Sequence, residues 1–127
     1  MKMLFVAGGG YKNLWGMVNS FLDISGEDSD WLDIRCEKLE RLLDKYNYDV
    51  VIFIDCGERN LMDSAAFVAL NRRHFVIVSE NSEAKVRKDL FIDDMAGGPE
   101  FFHHLSKDVS LKKDAENIVN KIGEINF

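Results

Sequence analysis

The chain has 127 residues, of which 46% are hydrophobic and 30% charged, and its formal net charge is −6. This length suffices for one domain with a core and excludes two domains of ordinary size. The acidic balance argues against a broad nucleic-acid surface, which needs clustered lysine and arginine, and the apolar content excludes wholesale disorder. We therefore expect one domain over residues 1–127.

The cysteines and the N-terminus bear on the compartment. Two cysteines, Cys36 and Cys56, are too few for a disulfide framework and lack the spacing of metal ligands. The apolar run at the N-terminus is shorter than a signal peptide requires, and no stretch approaches the length of a membrane span. These features predict a cytoplasmic protein with no bound metal and no membrane span.

The first elements are a strand, a glycine turn and two helices. Residues 2–7 predict a strand that runs into three glycines, as suits a turn where the backbone approaches a ligand closely. A short helix is predicted from Tyr11 to about Phe21, and residues 23–30 form an acidic loop. Ser29 is the predicted N-cap of a second helix. Its apolar stripe would be formed by Leu32, Cys36, Leu39 and Leu43.

The stretch YDVVIFIDCG, residues 48–57, is the centre of the predicted fold. Its five apolar residues, Val50–Ile54, are β-branched or aromatic, which is typical of a strand buried on both faces. The run ends on Asp55. We therefore expect an inner strand of the sheet with a carboxylate at its exit.

Helices and one further strand are predicted in the second half. Residues 64–73 predict a helix rich in small residues, 75–78 a strand, and 83–91 a helix capped by Asn81 or Ser82. Residues 96–108 are irregular and are the best candidate for a mobile loop. The last helix should start near Ser110. Its core-facing stripe would be Leu111, Ala115, Ile118, Ile122 and Ile125.

Strands that alternate with helices predict an α/β fold. We expect a three-layer sandwich with a mainly parallel sheet of about four strands, Rossmann-like or flavodoxin-like. Ligands bind beyond the carboxyl ends of the strands in such folds. The segments to examine are therefore 8–12, 55–63 and 79–82.

The glycine turn is the first candidate site. Gly8, Gly9, Gly10 and Lys12 could bind a phosphate at a helix N-terminus, so we predict that they bind a nucleotide cofactor. The pattern departs from GxxxxGK[ST], because Tyr11 and Asn13 flank the lysine. The alternative is a turn that binds no ligand.

Two carboxylates are the candidate catalytic residues. Asp55 at the strand end and Asp63 near the next helix could hold a metal, orient a water molecule or act as a general base. Alternatively, Asp63 is simply the N-cap of that helix.

Three aromatic or imidazole side chains have plainer interpretations. His103 and His104 are adjacent, and on an extended chain they point in opposite directions, so both are expected to be packing or surface residues. Trp15 is interpreted as a packing residue, although it lies near enough to the glycine turn to stack on a base.

With these residues in view, the chain resembles the ParA/MinD group of deviant-Walker ATPases. GGGYKNLWGMVN stands where that family has GGVGKTTLAVNLA, and YDVVIFIDCG stands where it has a strand ending in its aspartate. The resemblance implies that Lys12 is the P-loop lysine and Asp55 the switch-region aspartate. Because the P-loop threonine is absent, it implies a pseudo-ATPase that binds ATP or another nucleotide and acts through protein partners.

Two alternatives remain open. DCGERNLMDSAAFVALNRRHFVIV is similar to nucleoside deoxyribosyltransferase-like proteins, which implies a catalytic role for Asp63 and a substrate-holding role for Asp55. The other is a flavodoxin-like interaction domain without a small ligand, whose partner surfaces are the acidic loop 23–30 and the pair Phe101-Phe102. A homo-oligomer is compatible with each alternative, and the sequence does not identify a reaction.

Overall fold

The elements of the fold are taken from a computed structural model that describes residues 1–7, 9–23, 28–33, 47–54, 74–89, 92–94 and 97–126. The strands in these ranges are β1 (Met3–Ala7), β2 (Ser29–Asp33), β3 (Val50–Ile54), β4 (His74–Ser79) and β5 (Phe102–His104). The α-helices are α1 (Lys12–Leu22), α2 (Glu83–Asp89) and α3 (Leu111–Gly123). Short 3-10 turns cover Gly9–Tyr11 and Ile92–Asp94.

The five strands form one sheet in the order β2-β1-β3-β4-β5, and every neighbouring pair is parallel. This confirms the predicted α/β, flavodoxin-like class. The sheet has five strands where about four were expected, and neither β2 nor β5 was among the strands predicted from sequence.

The strand predicted as the centre of the fold is an inner strand. β3 lies between β1 and β4, and all five of its residues are fully buried. A parallel strand in this position must be covered on both faces, which explains why its sequence is continuously apolar rather than alternating.

Helices α1 and α3 cover one face of the sheet. Alternate residues of β1, β3 and β4 point to this face, and they pack against the apolar stripes of the two helices. The buried helix residues are Leu14, Val18, Ala115, Ile118 and Ile122. The stripe predicted for the last helix is confirmed, although Leu111 and Ile125 are only partly buried and Ile125 follows the end of the helix. The fully buried Ile118 and Ile122 each contribute roughly 1.5–3 kcal/mol.

The opposite face is also buried. Phe53 of β3 and Phe75 of β4 meet edge to face, with ring centroids 6.2 Å apart. Val86 of α2 and Ile92 are 5% and 3% exposed. Both faces of the sheet are therefore buried, as a three-layer sandwich requires.

Serine side chains cap two helices as predicted. The Ser110 hydroxyl accepts a hydrogen bond from the backbone N–H of Lys113 at 3.2 Å, and α3 begins at the next residue. The Ser82 hydroxyl accepts from the backbone N–H of Lys85 at 3.3 Å, so Ser82 rather than Asn81 is positioned to cap α2. An N-cap satisfies a backbone donor that has no partner within the helix.

The prediction of a helix starting at Ser29 is wrong. Residues 29–33 form β2, in which Ser29 pairs with Met3 of β1. The Ser29 hydroxyl donates to Asn19 and accepts from the Trp15 indole, both at 2.8 Å, instead of capping a helix. The helical spacing on which the prediction relied begins at Leu32, which lies inside this strand.

The prediction that residues 96–108 are irregular is wrong in part, because β5 lies within them. β5 has only three residues and pairs with Ile77–Ser79 of β4. Its backbone partners are distant in sequence: Glu100 N–H donates to Phe75 O at 2.8 Å, and Leu105 N–H donates to Ser79 O at 2.7 Å. A strand this short has little local signal.

The predicted helix over 64–73 and residues 34–46 of the second predicted helix lie outside the described residues. In the part of the chain that the structure describes, no helix is long and apolar enough to cross a membrane.

Candidate functional site

The strand order places a topological switch point between β1 and β3. The chain passes from β1 to β2 on one side and later returns to β3 on the other, so the connections diverge at this point of the sheet. Ligands of open α/β sheets bind at such a switch point, beyond the carboxyl ends of the strands. Ala7 and Ile54, the last residues of β1 and β3, are direct partners. In the sequence, the glycine turn and Asp55 therefore each follow directly after one of these two paired residues.

The structure does not test the predicted catalytic pair. Asp55 and Asp63 lie outside the described residues, as does Gly8, and the roles predicted for them stay predictions. The remaining predicted residues of the turn can be placed. Gly9 and Gly10 belong to the 3-10 turn. Lys12 is the first residue of α1, and its side chain is exposed.

The glycine turn is too short for a Walker loop. Only residues 8–11 lie between the end of β1 and the start of α1. In GxxxxGK[ST], five residues lie between the first glycine and the lysine, and the loop wraps the phosphates. Here three residues separate Gly8 from Lys12. A Cβ at Gly10 would meet no protein atom within 4 Å, so protein packing does not require glycine there.

Hydrogen bonds connect the carboxyl ends of β4 and β5. The Ser79 hydroxyl is buried and accepts from the backbone N–H of Asn81 at 3.0 Å. The Asn81 carbonyl in turn lies 3.0 Å from Nδ1 of His104. Because a carbonyl can only accept, Nδ1 is the donor. This network holds the segment after β4 against the end of β5.

A second histidine forms a buried pair on the other side of β5. Nε2 of His103 donates to Oδ1 of Asp114 at 2.9 Å, and the two residues are 5% and 4% exposed. Asp114 lies in the first turn of α3, where a carboxylate also suits the helix dipole. The prediction that the adjacent histidines point in opposite directions is confirmed, since His103 faces α3 and His104 is exposed.

These elements surround an open groove of about 490 Å³ at the carboxyl edge. One wall is apolar and includes Tyr11, Leu105 and Leu111, while Val109 stands at the rim with 38% of its surface exposed. The volume falls within the range of natural ligand sites. The polar lining residues are Glu80, His104, Ser106, Lys107, Asp108 and Asp114.

Sequence reasoning missed the part of the site built on β5 and α3. A signal for it existed, because Asp114 stands beside Ala115 and three residues after Leu111, on the core-facing stripe of the last helix. A carboxylate in that position requires a buried partner, and a histidine in a neighbouring strand is a suitable one.

Trp15 packs within the protein, as its plainer interpretation predicts. Its ring lies 5.7 Å from that of Trp31, and its indole N–H is bonded to Ser29. Among the described residues, no group of three or more histidine, cysteine, aspartate or glutamate side chains is arranged to hold a metal ion.

Solved structures similar to this chain are receiver domains of response regulators. The response regulator domain of Thermotoga maritima CheB has a TM-score of 0.67 at 13% identity, covering 98% of this chain and 95% of that one. The phosphorylated cyanobacterial phytochrome response regulator RcpA has a TM-score of 0.63 at 12% identity, covering 94% and 89%. An orphan response regulator of H. pylori has a TM-score of 0.62 at 19% identity, covering 94% and 96%.

At these identities, the similarity shows a shared fold. No protein-family model matches the chain, and no curated protein matches it.

The predicted resemblance to ParA/MinD ATPases is wrong, and so is the weaker one to deoxyribosyltransferase-like proteins. The similar structures are receiver domains instead. Both resemblances relied on a glycine turn after a first strand and on an apolar strand that ends in aspartate. Many parallel sheets share these features, because carboxyl-edge turns and buried strands impose them.

Proposed function

We propose that this chain is a receiver-like regulatory domain that acts by binding a protein partner at the carboxyl edge of its sheet. The observation that carries this proposal is the parallel β2-β1-β3-β4-β5 sheet, which corresponds to response regulator receiver domains over nearly the whole length of both chains. Of the functions predicted from sequence, it is closest to the flavodoxin-like interaction domain.

The arrangement of the carboxyl edge supports a binding role. The turn after the fully buried strand β1 and the segment after β4 contribute Tyr11 and Glu80 to an open groove. Loops on a rigid scaffold are the usual place for recognition, because they can vary or move without disturbing the core. The exposed Val109 at the rim gives a partner an apolar contact.

Site-specific photo-crosslinking tests this function. A photoreactive residue is placed at Lys107 or Asn81 on the carboxyl edge, or at Phe21 near the end of α1, in cells that naturally produce the protein. All three positions are exposed. We expect a discrete protein adduct from the carboxyl-edge positions and not from Phe21. Equal adducts from all positions, or none from any, would contradict the proposal.

A phosphoryl group on Asp55 is our candidate for the signal. Asp55 directly follows β3 in the sequence, and the last residue of β3 is paired with the last residue of β1 at the switch point. Aspartate carboxylates form acyl phosphates in other proteins. The structure of RcpA is that of a phosphorylated response regulator. The first turn of α1 has no side-chain cap, and Lys12 is exposed there, so Gly9, Gly10 and Lys12 would favour an added anion.

Intact-mass measurement after treatment with acetyl phosphate and Mg²⁺ tests this signal. We expect the wild type to gain one phosphoryl group and Asp55→Asn to gain none. Asp49→Asn is the matched control, since the Asp49 carboxylate binds the backbone N–H of Lys2 at the opposite edge. A gain that persists in Asp55→Asn, or no gain in the wild type, would exclude Asp55 as the acceptor.

Three earlier predictions stay predictions. Asp63 is predicted to be catalytic or an N-cap, and Asp63→Asn in the same assay distinguishes these roles. The other two are a cytoplasmic location and a homo-oligomer, and both are compatible with the proposed function.

A further inference from the structure

The rim of the carboxyl-edge groove is a preformed turn. The Ser106 hydroxyl accepts from the backbone N–H of Asp108 at 3.2 Å, and the Ser106 carbonyl accepts from the backbone N–H of Val109, also at 3.2 Å. Asp108 and Val109 are both exposed. The turn thus presents a carboxylate and an apolar side chain next to each other, and a preformed surface loses less conformational entropy on binding.

The described lining of the groove is acidic. Among the described residues that line it, Glu80, Asp108 and Asp114 carry carboxylates and Lys107 carries the one ammonium group. Two of these carboxylates belong to exposed rim residues, and the third is held at the buried end by His103. The whole chain is also acidic, with a formal charge of −6. An occupant with positive charge is therefore favoured over an anion.

Apolar surface adjoins these charges. Leu105 is buried at the groove wall, Leu111 is half-buried, and Val109 is the third most exposed large hydrophobic residue among those described. A bare cation would leave this surface in water. A peptide segment that combines basic and apolar side chains would cover both kinds of surface.

We propose that the groove binds a segment of the partner protein in which lysine or arginine alternates with apolar side chains. This inference rests on the proposed function and adds the chemistry of the partner. The basic side chains meet Asp108 and Glu80 at the rim, and an apolar side chain packs between Val109 and Leu111.

Fluorescence anisotropy with three labelled synthetic peptides of equal length tests the inference. One alternates leucine with lysine, one leucine with glutamate, and one serine with lysine. We expect the leucine–lysine peptide to bind most tightly and to weaken as salt is added, because exposed charge pairs are screened. We expect the leucine–glutamate peptide not to bind.

Two matched pairs of variants locate the binding. Asp108→Lys should weaken binding of the leucine–lysine peptide by about fivefold or more, given the usual strength of exposed ion pairs. Glu124→Lys makes the same charge change at the other end of α3 and should have little effect. Val109→Ser should weaken binding of the same peptide. Phe21→Ser, at another exposed apolar residue, should not. Circular dichroism confirms that each exposed variant is folded.

Three results would overturn the inference. These are equal binding of the leucine–glutamate peptide, equal losses in Asp108→Lys and Glu124→Lys, and no loss in Val109→Ser. If photo-crosslinking still captures a partner at the carboxyl edge, only the partner chemistry is wrong. If photo-crosslinking captures none, the proposed function itself fails.

Discussion

The His103 and Asp114 side chains form a buried polar contact between β5 and α3. Their hydrogen bond is 2.9 Å long, and both side chains are almost fully shielded from water. Among the described residues, no buried side-chain nitrogen or oxygen lacks a hydrogen-bond partner. Each member of the pair therefore removes the desolvation penalty of the other, and the pair fixes how the first turn of α3 meets the edge strand.

We predict that Asp114→Ala destabilises the protein by about 1–3 kcal/mol, because it leaves the buried imidazole donor without its acceptor. The double variant His103→Leu/Asp114→Leu should lose less than the sum of the two single leucine variants, because no unpaired polar group remains. Urea unfolding at constant m-value measures both effects.

The exposed Asp108→Ala variant is the control and should change the free energy of unfolding by no more than about 0.5 kcal/mol. If Asp114→Ala costs no more than this control, or if the two leucine substitutions are additive, then the buried pair is not formed.

At the scale of the element, α1 contains a glycine in a place that does not require one. Gly16 is exposed in the middle of the helix, and a Cβ there would meet no atom within 4 Å. We predict that Gly16→Ala raises the free energy of unfolding by about 0.5–1 kcal/mol, because it removes backbone freedom from the unfolded chain. Thermal or urea unfolding measures the gain.

Val18→Ala in the same helix is the opposite test. Val18 is fully buried against the sheet, so its truncation should cost about 1.5 kcal/mol or more. A loss of stability in Gly16→Ala would mean that residue 16 is packed rather than exposed.

Elements with a strong local pattern were predicted from sequence. The apolar runs of β1, β3 and β4 and the capped, striped helix α3 carry their signal within a few consecutive residues. β5 does not, because its three residues become a strand only by pairing with Ile77–Ser79, some 25 residues earlier. At Ser29, pairing with β1 prevailed over a helical spacing that the neighbouring residues suggested.

The candidate site was only partly predictable for the same reason. Parallel sheets place ligands at their carboxyl edge, so the glycine turn and the segment after β4 could be named in advance. The groove, in contrast, depends on β5 and on the first turn of α3. The position of Asp114 on the core-facing stripe signals a buried partner but does not identify it, because His103 comes from another element. The partner of His104, Asn81, is likewise distant in sequence.

At the scale of the molecule, the chain should unfold as one cooperative unit. Trp15 and Trp31 contact each other between α1 and β2, near one edge of the sheet, whereas far-UV circular dichroism reports on every helix and strand. For a single domain over residues 1–127, we predict that the two signals give coincident urea transitions. A tryptophan transition at lower urea would show that this edge unfolds separately.

The fold also accounts for how a signal at the end of β3 would reach a partner. β3 and β4 are adjacent inner strands, and the hydrogen bonds through Ser79, Asn81 and His104 join the end of β4 to β5 and the groove. A change beside β3 therefore lies one strand away from a network that contacts the proposed partner surface. The coupling requires that this network has two arrangements and that the signal shifts the equilibrium between them.

NMR titration of the isotope-labelled chain with the partner identified by photo-crosslinking tests the proposed carboxyl-edge surface most directly. We predict that the largest backbone shift changes fall on residues 9–12, 79–81 and 104–111, at the carboxyl edge. Residues 47–50, at the opposite edge, should stay unchanged. Shift changes concentrated at residues 47–50, or on the C-terminal half of α1, would contradict the proposed function.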